Sequence, residues 1–354
     1  FGVECSTRWG IVKSVQNYPG RQELQVQIGT ENSRAINYPS LTCACQINDR
    51  VLLNTTAEEL ELGTGGWHYV LAVEGRERSL SKLGHIIKLR YTPLQGRVLS
   101  VEEEESPYHH IMAEATSLHG LPVAVGSLHS MLAPLAYTFK WHYRDRRLVY
   151  LMSDGAALPL GTSNVVRLLK HKGLIDKTIT FGHAFGGDLE AVNIYSALLA
   201  AKYVARADLA VVLMGPGVVG TNTTWGTTAL EQGIYLNAVS QLGGLAIAIP
   251  RLSEKDPRPR HLGLSHHTQT VLSHVTQIEV ELPLPTYFQR LPQAWEQLRL
   301  LGHRISWEET DADFVKLAAS GVPLSTMGRG INDDPLFFHG VLATASFLAR
   351  VMSR

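Results

Sequence analysis

Cysteine is scarce in this chain: Cys5, Cys43 and Cys45 are the only three in 354 residues. An odd and small number excludes a disulfide-stapled scaffold and fits a reducing, cytoplasmic setting. Excess charge of one sign is also missing, with 32 Lys and Arg against 32 Asp and Glu. Nucleic-acid binding needs a concentrated positive field, and residues 1–90 hide none, with ten basic against nine acidic side chains. No run approaches the roughly 18 uninterrupted apolar residues of a membrane span. No early segment has the charged start and apolar core of a signal peptide. Neither a nucleic acid nor a membrane is therefore expected as a partner. Absent too are a G-x-S-x-G elbow, a cysteine beside a strand end and a P-loop lysine motif. Their absence disfavours nucleophilic hydrolysis and ordinary ATP hydrolysis.

What is present describes a globular protein with a sizeable interior, 45% hydrophobic and 18% charged. The length favours two domains. Residues 1–91 read as short strands separated by turns. Alternating or apolar stretches fall at Gly10–Val15, Leu24–Ile28, Arg34–Tyr38, Asp49–Asn54 and His68–Val73. Asn17-Tyr18-Pro19-Gly20 is a turn, and Gly63, Gly65 and Gly66 punctuate another. Five such strands suggest a small barrel of the SH3 or OB type. Cys43-Ala44-Cys45 is half of a metal site at most, and otherwise two small half-buried residues. Tyr91–Gln95 looks like the crossover to a second domain over residues 92–354.

From about residue 120 the pattern becomes apolar strand, small polar loop, helix, repeated. Strands are expected at Pro122–Val125, Leu148–Met152, Thr178–Gly182, Leu209–Met214, Leu245–Ile249, Gln277–Leu282 and Arg304–Glu308. Continuous apolar runs are what strands covered on both faces require. Asp188 is placed to cap a helix over Leu189–Arg206, another helix spans Thr227–Gln241, and Asp334-Pro335 opens a final one. Alternation of this kind makes a doubly wound, mostly parallel, Rossmann-like α/β sheet.

In such sheets ligands bind at the carboxyl ends of the strands. The loops there supply the candidate catalytic residues Asp154, His183, Asp188 and His266, all able to move a proton. Gly215-Pro216-Gly217-Val218-Val219-Gly220 is a G-x-G-x-x-G stretch directly after a strong strand. Its glycines, with Thr221 and Asn222, would let backbone amides approach a phosphate or carboxylate. Arg329, between two glycines, would clamp an anion with its two-pronged donor set. The dinucleotide fingerprint is imperfect, because a Thr/Asn-rich stretch delays the next helix and no ribose-binding acid follows. The charged, Pro-rich segment Glu254–His261 has the composition of a lid. His266 and His267, adjacent on a helix start, are expected to point in different directions. With Asp154, the histidines His183, His266 and His267 could form a divalent metal site, but neither H-x-H nor H-E-x-x-H spacing occurs, so no metal ligands are assigned and the cofactor is left open.

Several long stretches carry a resemblance: DRVLLNTTAEELELGTGG (49–66), RYTPLQ (90–95), MSDGAALP (152–159), FGGDLEAV (185–192), GPGVVGTNTTWG (215–226), GLSHHT (263–268) and STMGRG (325–330). In these the chain resembles the bacterial domain-of-unknown-function family DUF3866. The resemblance runs from the first domain to the final helix and implies that the two parts form one unit. It implies no activity, cofactor or catalytic residue. Three readings follow: an enzyme or binding protein for a small anionic or phosphorylated metabolite, a non-catalytic sensor or assembly protein, and an NAD(P)-type oxidoreductase. The apolar final helix, with Phe337, Phe338, Val341 and Leu342, is either core or a homodimer face.

Overall fold

A computed structural model describes residues 4–60, 66–80, 83–156, 158–291, 294–298 and 302–353. Gly63 and Gly65 of the expected turn, and Ala157, lie outside the described residues. The chain divides into two compact units, residues 1–83 with 89–96, and residues 84–88 with 97–354.

The first unit is a closed barrel of five strands, β1 (Thr7–Tyr18), β2 (Arg21–Ile28), β3 (Glu31–Asn37), β4 (Arg50–Asn54) and β5 (His68–Val73). They are ordered β1-β2-β3-β5-β4, with β4 returning to β1 and a parallel β3–β5 pair. Alternation along the strands turns Val12, Leu24, Val26, Ala35, Val51 and Leu53 inward. A buried amide pair pins the loop after β3. Gln22 Oε1 accepts from Asn37 Nδ2 at 2.8 Å and from the Cys45 amide at 2.7 Å. Cys45 is thereby a core residue. Burial pushes its thiol up to about 12, helped by Cys43 and Asp49 and opposed by Arg76.

The second unit holds an all-parallel sheet of eight strands. They are β6 (Pro122–Val125), β7 (Leu148–Ser153), β8 (Lys177–Phe181), β9 (Leu189–Ala191), β10 (Leu209–Met214), β11 (Leu245–Ala248), β12 (Glu281–Pro285) and β13 (Arg304–Glu308). The spatial order is β9-β8-β7-β10-β6-β11-β12-β13. Helices α1 (Leu132–His142) and α2 (Asn164–His171) cover one face. Helices α3 (Ile194–Tyr203), α4 (Glu231–Gln241), α5 (His266–Thr270) and α6 (Ala294–Leu298) lie along the other. Helices α7 (Asp311–Ala318) and α8 (Pro335–Met352) return to the first face. In β7, Leu148, Tyr150 and Met152 enter one layer and Val149 and Leu151 the other, which is why the whole strand is apolar.

Three local expectations are corrected. Leu189–Ala191 forms the edge strand β9, and α3 opens only at Ile194, where Asn193 and Ser196 make a capping box. Asp188 caps nothing there. The strand expected at Gln277–Leu282 lies at Glu281–Pro285, running through Pro283 and Pro285. Proline costs little there, because β12 makes one residue pair with β11, at Glu281. Helix α8 opens at Pro335 as expected, but Asp334 does not cap it; the Leu336 amide donates to Glu254 instead. Helix α8 has the length and apolarity to cross a membrane, yet 67% of that window is buried within the unit. It packs as a core helix.

Two predictions follow from this packing. Iodoacetamide should label exposed Cys5 rapidly in the native protein and Cys45 only on unfolding; native labelling of Cys45 would contradict its burial. The second concerns buried histidines. Burial lowers His129, held by Ser163 at 2.7 Å and Tyr150 at 3.2 Å, to about 4. His339, stacked between Tyr287 and Phe314, is likewise lowered to about 4 by burial. A histidine with a depressed folded pKa contributes stability that is complete above about 6.5 and is lost as pH falls towards the folded value. The melting temperature should drop between pH 7 and 5, and His339→Phe should make that drop shallower; an unchanged slope would contradict the assignment.

Candidate functional site

The order of the strands fixes where a ligand can enter. From β6 the chain moves outward through β7, β8 and β9. It then returns to insert β10 between β7 and β6, and continues through β11, β12 and β13 on the far side. With right-handed crossovers, the segments after β6 and β7 leave to one face and those after β10 and β11 to the other. In doubly wound sheets a ligand crevice forms outside the carboxyl ends of the strands beside such a reversal, which here falls at β10 and β6. Two clusters of polar side chains stand on the loops there.

The first is acidic. Ser153, fully buried at the end of β7, donates to Glu231 Oε2 at 2.6 Å. Glu231 is the first residue of α4, and Tyr235 one turn later also hydrogen-bonds it. Burial raises the Glu231 carboxyl, Asp154 acts in the same direction, and the Ser153 and Tyr235 hydrogen bonds oppose them. Gly155 leaves room for this approach, since a Cβ there would lie 2.5 Å from Glu231 Oε2 and push that carboxylate aside. Asp154 Oδ2 accepts the His183 amide at 2.8 Å, so two of the expected residues do meet, through a backbone donor. Behind them, Lys88 Nζ is buried and donates to the Gly182 carbonyl at 2.7 Å, with Glu190 at 3.5 Å. Burial lowers Lys88 and raises Glu190, each against the pull of the other.

The second cluster is basic and aromatic. After β11 a short antiparallel pair, Leu252–Ser253 with Gly263–Leu264, closes the expected lid into a stapled loop. Asp256 lies at its base with no exposed side-chain surface. Its carboxylate accepts from Arg258 Nε and Nη2, each at 2.9 Å, from Arg251 at 3.3 Å and from Arg329 at 3.4 Å. Burial opposes its ionisation, but Arg258 above all holds it well below the usual carboxylate range. Asp334 accepts from Ser253 Oγ at 2.6 Å, the Glu254 amide at 2.9 Å and Arg329 Nε at 3.1 Å.

Beside this network the rings of His261, His266 and His267 stand 4.2–5.1 Å apart, centre to centre. Burial, then the Arg251 and Arg258 charges, lowers His261 to about 3. Burial and its charged neighbours lower His267 to about 4, and His266 falls in the same direction. His261 Nδ1 pairs with Ser265 Oγ at 2.7 Å. His261 Nε2, His266 Nε2 and His267 Nδ1 are buried with no hydrogen-bond partner. One nitrogen from each ring lies within 4.8 Å of the others. Adjacent His266 and His267 were expected to diverge. They converge instead: Ser265 caps the start of α5, and both rings stand beside that of His261.

The remaining candidates fare differently. The glycine loop folds on itself through a Gly220–Thr227 bridge. The Thr221 amide donates to the Gly226 carbonyl at 2.8 Å and the Val219 amide to Thr228 Oγ1 at 3.0 Å. Gly217 and Asn222 take left-handed φ values of 99° and 63°. Gly215 only ends the strand, and Gly220 packs close to His267, where a Cβ would lie 3.3 Å from the ring. The next helical turn starts at Thr228, so these glycine amides do not face a helix N-terminus, and the dinucleotide reading falls. Arg329 spends its fork on Asp256 and Asp334 rather than on an open anion site. Asp188 sits at the amino end of β8, bonded to the Thr178 amide and hydroxyl and to Lys170, away from the ligand edge. His183 is outside the histidine cluster. Sequence reasoning passed over Ser153, Glu231, Tyr235 and His261. The His261…His266-His267 spacing across Gly263-Leu264-Ser265 was the one available signal, since a turn there folds the first histidine back onto the pair.

Comparison with curated proteins finds no match. The family model described as "Protein of unknown function (DUF3866)" matches residues 34–345, from β3 of the barrel to the middle of α8. The chain belongs to the DUF3866 family.

Proposed function

We propose that the α/β unit is an enzyme that takes a small anionic metabolite into the carboxyl-edge crevice and transfers a proton to or from it. The observation that carries this reading is Glu231. Its carboxyl is raised by burial between Ser153 and Tyr235, at the place where chain order reverses. A carboxyl raised in this way holds its proton to a higher pH than an ordinary glutamate does, the direction that proton transfer to a ligand requires. Asp154 stands beside it as the second carboxylate. The anionic character of the ligand rests on the facing loop. There Arg251, Lys255, Arg258, Arg260 and Arg329 outnumber Glu254, Asp256 and Asp334, five to three. The three unpaired thiols fit work in a reducing cytoplasm. A second reading, a sensor that binds an effector without chemistry, is favoured by the self-closed glycine loop packed on His267.

A thermal-shift panel of phosphorylated and carboxylate metabolites tests the ligand class. A ligand at one hundred times its dissociation constant adds about 2.7 kcal/mol of stability. The shift should disappear in Arg260→Ala, whose guanidinium Nε has no hydrogen-bond partner; silence across the panel from a cooperatively melting protein would count against the enzyme reading. Glu231 has its own test. A carboxyl raised by burial contributes stability that is present below its ordinary value and lost as pH rises through the folded one. Glu231→Gln should therefore gain melting temperature over the parent as pH rises from 4 to 8. A constant difference would show that Glu231 carries no shifted proton.

A further inference from the structure

We propose that His261, His266 and His267 together bind one divalent transition-metal ion of the zinc class. Geometry carries this inference, and it stands whether or not Glu231 transfers a proton. One nitrogen from each ring lies within 4.8 Å of the other two. Nitrogens around a tetrahedral zinc at about 2.0–2.1 Å from the metal sit roughly 3.4 Å apart. A bound ion would draw the three nitrogens together from within 4.8 Å towards that spacing.

The hydrogen bonding points the same way. A buried ring nitrogen without a partner is uncommon in a folded protein. Here three occur together, at His261 Nε2, His266 Nε2 and His267 Nδ1. His261 Nδ1 is engaged by the buried Ser265 Oγ, which leaves Nε2 as its unpartnered nitrogen. This is the arrangement in which an outer partner orients a metal-bound imidazole. Ser265 is also the N-cap of α5, accepting from the His267 amide, so one hydroxyl sets the direction of two of the three ligands. Gly220 borders the cluster, and its lack of a side chain leaves room beside the His267 ring.

Three protein ligands leave a coordination position for something else. Arg251, Arg258 and Arg260 act on these rings electrostatically. Their field disfavours a bare dication and favours one whose further ligand is an anion, such as hydroxide or the oxyanion of a small metabolite. A bound anion without metal would instead have to be held by ring N–H donors, and this is the competing occupant.

The test uses the full chain after chelator treatment and dialysis, with Co2+ and Zn2+ as the probes. Equilibrium dialysis should find about one ion per chain, and Co2+ should give the strong visible absorption of a tetrahedral site. His266→Ala, at the least buried of the three rings, should weaken Co2+ binding by more than about 100-fold. Ser265→Ala should weaken it by roughly 10–100-fold, as loss of an outer partner does. His183→Ala, outside the cluster, should leave it unchanged. A folded parent protein that binds no stoichiometric metal would overturn the proposal without any variant. Metal retained by His266→Ala would overturn it too. So would stabilisation by inorganic phosphate alone that depends on His266, which would make the cluster an anion site.

Discussion

The carboxylate of Asp256 is the interaction on which the organisation of the carboxyl edge depends. It has no exposed surface and accepts from three guanidiniums. Burying a carboxylate is costly, and removing a partner from a buried ion pair costs about 3–5 kcal/mol, because the remaining charge is left uncompensated. The partners come from different places: Arg251 follows β11, Arg258 lies in the stapled loop, and Arg329 precedes α8. Arg329 then reaches Asp334, which binds Ser253 and the Glu254 amide. Two buried carboxylates thus tie a strand end, a loop and the start of the longest helix into one network. Glu254 adds a further tie by accepting the Leu336 amide.

That network matters because the loop it holds carries the histidines. Ser253 pairs with Gly263 in the short hairpin, and Gly263 leads through Ser265 into α5. Fixing Asp256 fixes the hairpin, and the hairpin returns His261 to the side of His266 and His267. The glycine loop after β10 packs against the same rings at Gly220, and its far end runs through Thr228 to Glu231. Basic and acidic clusters are therefore consecutive along the edge, joined by one loop, around the strands where chain order reverses. The sheet determines which loops meet, and buried charge determines what those loops present.

Much of this fold was legible in the sequence. The apolar runs of β6, β7 and β10 announce strands covered on both faces, and Pro335 marks the start of α8 to the residue. The short edge strand β9 was not legible, because Leu189–Ala191 flows into an apolar helix and its pairing with β8 is a tertiary fact. The loops at the carboxyl edge were legible in the sequence, but only partly which of their side chains meet. G-x-G-x-x-G states that the backbone can turn, not where its amides end up; here Thr221, Thr227 and Thr228 close the loop on itself. Arg329 between glycines looks open in sequence, and two buried carboxylates consume it, Asp334 five residues on and Asp256 73 residues back. Ser153 and Glu231 lie 78 positions apart, and no local pattern could join them.

The claim that buried Asp256 positions the histidine loop is open to one direct measurement, amide hydrogen exchange on the full chain with and without Asp256→Asn. Asparagine keeps the shape and removes the charge that three arginines share. The account predicts that protection over residues 251–268 collapses in the variant, while the barrel strands and β7 to β10 exchange as before. Unchanged protection over 251–268 would contradict it, and would mean that the loop and its histidines are held by packing alone.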